Sequence, residues 1–269
     1  MWGECGLMTA AAGLRTVLSV PERFRGPEGI ANGGWIAGTL ASSLTGGGHA
    51  SAVEVTLHKP VPLETEVTIE HVGNAVTLNL GDQHLVEAIP VALGHGAGSG
   101  SADALTPPPF VPFNDAARAE DGFRGRHRHP IAGCFACGLR EPGDGLRIFP
   151  GPVEGTDLVA AGWRVPVGVT DEHGVVPDSI IWSALDCATG WVQYGSSEEP
   201  GTDSVPAGSA LLGRLTGQVF RRVYPLGSYS VVARAIGREG RKLHGVSAVY
   251  EVDGTLVAAA KATWITPRP

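Results

Sequence analysis

Four groups of residues in this chain have the types and spacing for chemistry. Asn32-Gly33-Gly34 leads into a stretch, Gly33 to Leu44, with Ile36, Leu40 and Leu44 in one row and Ala37 and Ala41 beside it, the spacing of a helix. N–H groups at a helix start sit at the positive end of its dipole, where they stabilise charge developing on a carbonyl oxygen. Glycine there lets a ligand approach the backbone closely. The plainer role for Asn32 is an N-cap. Asp186 lies in a second helical pattern, Ser179 to Tyr194, defined by Ile181, Ala184, Leu185, Ala188 and Trp191. A carboxylate in a site can act as a base on water or as a nucleophile. Asp186 also shares a stripe with Ser183, Thr189 and Gln193, and a solvated polar face has the same pattern. Asp178 reads as the N-cap of this helix. His127, His129, Cys134 and Cys137 form an H-x-H-x4-C-x2-C cluster of zinc-compatible ligands. Its spacing is not that of a standard finger, and a buried pair of structural thiols is the plainer reading; Cys187 reads as a small core residue. Arg214, Arg221 and Arg222 lie on a predicted strand, Gly213 to Tyr224, as anchors for an anionic ligand or as decoration of an outer face. Adjacent strand residues point to opposite faces, so at most one of Arg221 and Arg222 addresses a given ligand.

The elements that position these groups repeat. After the first helix come strand-like segments at Ser51–Lys59, Glu66–His71, Ala75–Leu80 and Leu85–Leu93. After the second come Gly213–Tyr224, Ser228–Ile236, Leu243–Val252 and Leu256–Thr266, with an Asp253-Gly254 hairpin turn between the last two. Pro62-Leu63 lines up with Pro225-Leu226, and the extra length of the second half falls in the Gly195–Ala210 loop. We read a tandem duplication of one helix-plus-antiparallel-sheet unit. The expected units are residues 14–93 and 129–268, joined by an irregular connection over 94–128 that runs Gly/Ser-rich and then Pro-rich. A helix that is apolar on most sides cannot sit in water, so each sheet is expected to wrap its helix.

Composition narrows the classes. With 43% hydrophobic and 17% charged residues the chain folds, and 39 glycines and 20 prolines favour strands and turns over a helical bundle. The 27 acidic against 20 basic residues give a net charge of −7, without the broad basic footprint of a nucleic-acid binder. No apolar run reaches the ~20 residues of a membrane span. Four cysteines do not make a disulfide framework, and the first residues lack a signal-peptide pattern, so a cytoplasmic setting is expected. No G-x-S-x-G elbow, G-x-G-x-x-G, Walker A loop or H-E-x-x-H occurs.

The pattern resembles the tandem, or double, hot-dog fold of acyl-CoA thioesterases. The resemblance rests on Phe24-Arg25-Gly26-Pro27-Glu28-Gly29-Ile30-Ala31-Asn32-Gly33-Gly34, on Cys134-Phe135-Ala136-Cys137-Gly138 followed by Gly145-Leu146-Arg147, and on Ala184-Leu185-Asp186. It is similar to the phenylacetate-type members, whose helix opens His-Gly-Gly and carries an acid nine residues after that His. In this chain the halves divide those parts. The first has Asn32-Gly33-Gly34 but Ala41 at the acid position; the second has Asp186 but Pro177 at the helix opening. The resemblance therefore implies an α+β double hot-dog with one composite site, where Asn32, Gly33 and Gly34 face Asp186 and an acyl-CoA thioester is hydrolysed without a cofactor. It also implies that Arg214, Arg221 and Arg222 are the candidates for the coenzyme A phosphates, and it allows a homo-oligomer. The alternatives are a non-catalytic acyl-CoA or lipid-binding hot-dog protein, favoured by Asn32 in place of His, and a zinc-stabilised interaction module around His127–Cys137. A hot-dog dehydratase or hydratase is a fourth reading, but this sequence shows no paired His and acid at suitable positions.

Overall fold

The computed structural model describes residues 15–49, 51–92, 105–194 and 210–268. Most of the predicted insertion loop, the Gly/Ser-rich start of the connection and Cys5 lie outside these residues. The first half runs β1 (Arg15–Ser19), α1 (Gly33–Thr45), β2 (Ala52–Leu57), β3 (Glu66–Val72), β4 (Ala75–Leu80) and β5 (Gln83–Val91). A helix α2 (Phe113–Ala119) follows. The second half runs β6 (Gly151–Pro152), β7 (Leu158–Arg164), α3 (Asp178–Trp191), β8 (Leu211–Val219), β9 (Ser228–Glu239), β10 (Lys242–Glu251) and β11 (Leu256–Ile265). Among the described residues these strands form one antiparallel sheet in the order β1-β3-β4-β5-β2-β8-β11-β10-β9-β7-β6. Each half is a helix followed by four strands, with β1 ahead of the first helix and β6 and β7 ahead of the second, and β2 pairs with β8 to join them. This is the double hot-dog expected from the sequence.

The helices form because their apolar positions have somewhere to go. In α3 every residue from Ser179 to Trp191 is buried; in α1 Gly34 to Gly38, Leu40 and Ala41 are. The strands supply the other wall through alternating residues such as Val53 and Val55, Val67 and Ile69, and Val76 and Leu78. The two helices also pack on each other, antiparallel, through the smallest residues of α1. A Cβ on Gly34 would lie 2.5 Å from Asp186 Cβ, and one on Gly38 would lie 2.5 Å from Ser179 Cα. Only glycine permits that approach.

Several expectations shift. The strands β1 and β7 were not foreseen: β1, at one edge of the sheet, is short with mostly exposed residues, and β7 lacks strict alternation. The strand expected to reach Tyr224 ends at Val219, where the N–H groups of Phe220 and Arg221 both turn onto the Val257 carbonyl (2.8 and 3.2 Å). Asp178 is the first residue of α3 rather than its cap; Pro177 holds that place, and Asp178 Oδ1 meets His49 Nε2 at 3.3 Å. The stretch 94–128, expected to be irregular, contains α2, which packs Ala116 and Ala119 into a second apolar cluster with Leu158, Ala160 and Val232. Its 7 residues are too few to show a helical period. The duplication is one residue out of the expected register. Glu64 and Leu226 both take a left-handed backbone (φ 49 and 63), and their N–H groups bond the carbonyls of Val20 and Val165. Glu64 thus corresponds to Leu226, which places Pro62 opposite Tyr224 and not Pro225.

Candidate functional site

The site forms where the N-terminus of α1 meets the middle of α3. Asn32 is the N-cap: its Oδ1 accepts the Trp35 N–H at 2.9 Å, the ordinary use of asparagine at this position. The approach to this cap is built from two of the sequence motifs docked together. Phe24 stacks on Trp35 and meets Phe135 edge-on, the Phe135 N–H donates to the Arg25 carbonyl, and Arg25 Nε donates to the Gly133 carbonyl. The Cys134–Gly138 turn is thereby fixed over the helix start. Gly138 is required within it, since a Cβ there would lie 2.3 Å from the Cys134 carbonyl oxygen.

Asp186 arrives from α3. It is 2% exposed, and its Oδ2 accepts the Gly34 N–H at 2.8 Å. Its Oδ1 is buried without a hydrogen-bond partner among the described residues. Burial pushes the carboxyl up to about 8, against the opposing pull of the Gly34 N–H; negative charge at Cys134 adds to the rise. Near neutral pH the group is therefore mostly protonated. The equivalent position in α1 is Ala41, and the N-cap of α3 is Pro177, so the mirrored corner has no such carboxylate.

Asn32, Gly33 and Asp186 line a cavity of about 550 Å³ whose walls include Ile36, Val61, Leu212 and Trp264. Lys59 and Arg241 also line it. Three thiols complete it. Cys134 Sγ and Cys187 Sγ are 3.6 Å apart, and Cys137 joins them, all three sulphurs lying within 4.8 Å of one another. The Asn32 carboxamide points its Nδ2 at Cys134 Sγ (3.7 Å) and Cys187 Sγ (3.8 Å). Donors from the Cys137 and Cys187 thiols, then the N–H groups of Cys137 and Ala136, hold Cys134 well below the usual thiol range despite burial; Cys137 and Cys187 are pushed up.

Of the residues singled out from sequence, Asn32, Gly33, Gly34 and Asp186 come together. Gly34 does so differently from expectation: its N–H is held by Asp186 and does not stand free for a ligand. Gly33, the first helical residue, has no intrahelical acceptor for its N–H. The arginines are not brought to this cavity. Arg221 and Arg222 are exposed in the turn beyond β8, and Arg214 pairs with Glu54 at 3.2 Å across the β2–β8 seam. The expected ligand set His127, His129, Cys134 and Cys137 does not assemble either. His127 is exposed; His129 Nδ1 accepts the Ile131 N–H, so Nε2 carries the proton and donates to the Cys137 carbonyl at 2.9 Å. Sequence reasoning missed Cys187 as a site residue. Adjacency to Asp186 carried no signal for it, since consecutive residues of a helix point about 100° apart. Lys59 and Arg241 carried no signal.

No family model matches the chain, and no curated protein matches it in sequence. Solved structures share its fold at low identity. A conserved hot-dog-fold protein of unknown function from Alicyclobacillus acidocaldarius matches with a TM-score of 0.55 at 14% identity, over 98% of this chain and 96% of that one. An acyl-CoA thioesterase II, TesB2, from Mycobacterium marinum matches with 0.51 at 12%, over 95% and 93%. The dehydratase domain of PpsC from Mycobacterium tuberculosis, solved in complex with C12:1-CoA, matches with 0.54 at 12%, over 88% and 85%.

Proposed function

We propose that this protein hydrolyses an acyl-CoA thioester at the single composite site between its halves. The observation that carries the reading is the 2.8 Å contact of Asp186 with the N-terminus of α1, at the wall of a largely apolar cavity and without a counterpart in the mirrored corner. The thioesterase and the C12:1-CoA complex among the similar folds support the substrate class. The thioester carbonyl lies against the Gly33 N–H, a donor fixed before the reaction begins. Ionised Asp186 takes a proton from water through Oδ1 as the water oxygen adds to the carbonyl carbon. The tetrahedral intermediate then collapses, the C–S bond breaks, and the departing thiolate recovers the proton from Asp186. Lys59 and Arg241, not the three arginines expected from sequence, are the cations placed to meet the coenzyme A phosphates.

The test is a panel of acyl-CoA substrates from short to long chains, followed by release of free thiol from the wild type and from Asp186→Asn. The reading requires release by the wild type on at least one chain length and its loss in the variant. A second reading, binding of acyl-CoA without turnover, is favoured by the engagement of the Gly34 N–H with Asp186. It predicts calorimetric binding of the same panel with no thiol release.

A further inference from the structure

The three-cysteine cluster is not explained by thioester chemistry. Cys134 and Cys137 come from the turn that caps α1, and Cys187 comes from α3, so the fold gathers them from positions about fifty residues apart. A side-chain donor faces two of the sulphurs: Asn32 Nδ2 points at Cys134 and Cys187. A sulphur that accepts from an amide N–H is in the surroundings that a thiolate ligand takes. A tetrahedral ion with Zn–S bonds of about 2.3 Å places its sulphurs about 3.8 Å apart, close to the 3.6 Å between Cys134 and Cys187. That separation is far beyond the ~2.05 Å of a disulfide. The N–H···S contacts match the outer partners that hold thiolate ligands in metal sites.

We propose that Cys134, Cys137 and Cys187 bind a zinc ion as three thiolates, with the fourth position facing the cavity beside Asp186. Soft thiolate ligands select zinc over calcium or magnesium. No fourth His, Cys, Asp or Glu joins the group among the described residues, and all three cysteines line the cavity, so an exogenous ligand such as water completes the site. The inference corrects the ligand set expected from sequence, exchanging both histidines for Cys187. It does not depend on the thioesterase reading.

The test uses the full chain, reduced, free of chelator and affinity tag. Elemental analysis should find about one zinc per chain. After stripping, titration with zinc against a chromophoric chelator should recover one tight site, and cobalt(II) in its place should show thiolate-to-cobalt charge transfer of three-sulphur intensity. Cys187→Ala should lower zinc affinity more than ~100-fold, beyond the 10–100-fold typical for loss of an outer partner. His129→Ala should leave the stoichiometry unchanged. The proposal is overturned if the folded, reduced wild type binds no zinc at micromolar concentration, or if Cys134 and Cys187 are recovered as a disulfide that reduction does not convert to a zinc site. It is equally overturned if His129→Ala abolishes binding while Cys187→Ala does not. The cobalt spectrum of the wild type counts the thiolates even where a cysteine variant does not fold. Hydrolysis with no zinc, or zinc with no hydrolysis, separates this proposal from the proposed function.

Discussion

Asp186 sets a buried carboxyl against the N-terminus of α1. Its carboxyl is enclosed by apolar residues and relieved by one backbone N–H, so it keeps a proton that an exposed aspartate would have lost. If it is the base, kcat/KM should rise with pH along a limb centred near 8, the pH at which half the sites are ionised. Asp186→Asn preserves the shape while removing the basicity, and should lower hydrolysis by roughly 10²–10⁴-fold with acyl-CoA binding retained. Full activity in a folded Asp186→Asn protein would move the base elsewhere. The same shift has a consequence for stability. The folded value, about 8, lies above the ordinary 3.8, so between these the folded state holds more protons than the unfolded chain. The stabilisation is complete below about pH 4 and is lost as pH rises towards 8. Urea unfolding midpoints should therefore fall across this window in the wild type, and the Asp186 contribution to that slope should vanish in Asp186→Asn.

At the scale of elements, the contact of α1 with α3 sets the site. Gly34 and Gly38 meet α3 with no room for a Cβ, each at 2.5 Å from an atom of the other helix. Gly34→Ala and Gly38→Ala should each cost about 1–3 kcal/mol, the usual range for overpacking, seen as a lower Tm. They should differ in function. Gly38 faces Ser179 and Trp182, away from the carboxylate, so the folded fraction of Gly38→Ala should keep its kcat; Gly34→Ala displaces Asp186 and should lose kcat as well. Asn32→Ala removes the cap bond to the Trp35 N–H and should cost about 1 kcal/mol. Helix α1 was legible because its start and its apolar row are local signals. Helix α2 was not, because its helicity rests on docking against β7 and not on its own period.

At the scale of the molecule, the halves share one sheet through β2–β8 and one helix pair, so neither has a complete core alone. Unfolding should be a single transition, with tryptophan fluorescence from Trp35 in the first half and Trp163, Trp182 and Trp191 in the second coinciding with loss of far-ultraviolet circular dichroism. Two separated transitions would mean that the halves are independent. The sequence by itself determined the repeat of a helix and an antiparallel sheet, because period and turn residues are written locally along the chain, while its resemblance to hot-dog thioesterases implied the fold class and the division of parts at Ala41 and Pro177. Only the tertiary structure decided that Gly34 gives its N–H to Asp186, 152 positions away, that Cys187 joins Cys134 and Cys137, and that Arg221 and Arg222 face solvent instead of the cavity. The physical reason is the same in each case. A hydrogen bond, a thiol contact or a facing direction depends on how close two helices pack and where a strand ends, and both are set by the absence of side chains at Gly34 and Gly38 and by the turn at Val219, over distances that no local pattern encodes.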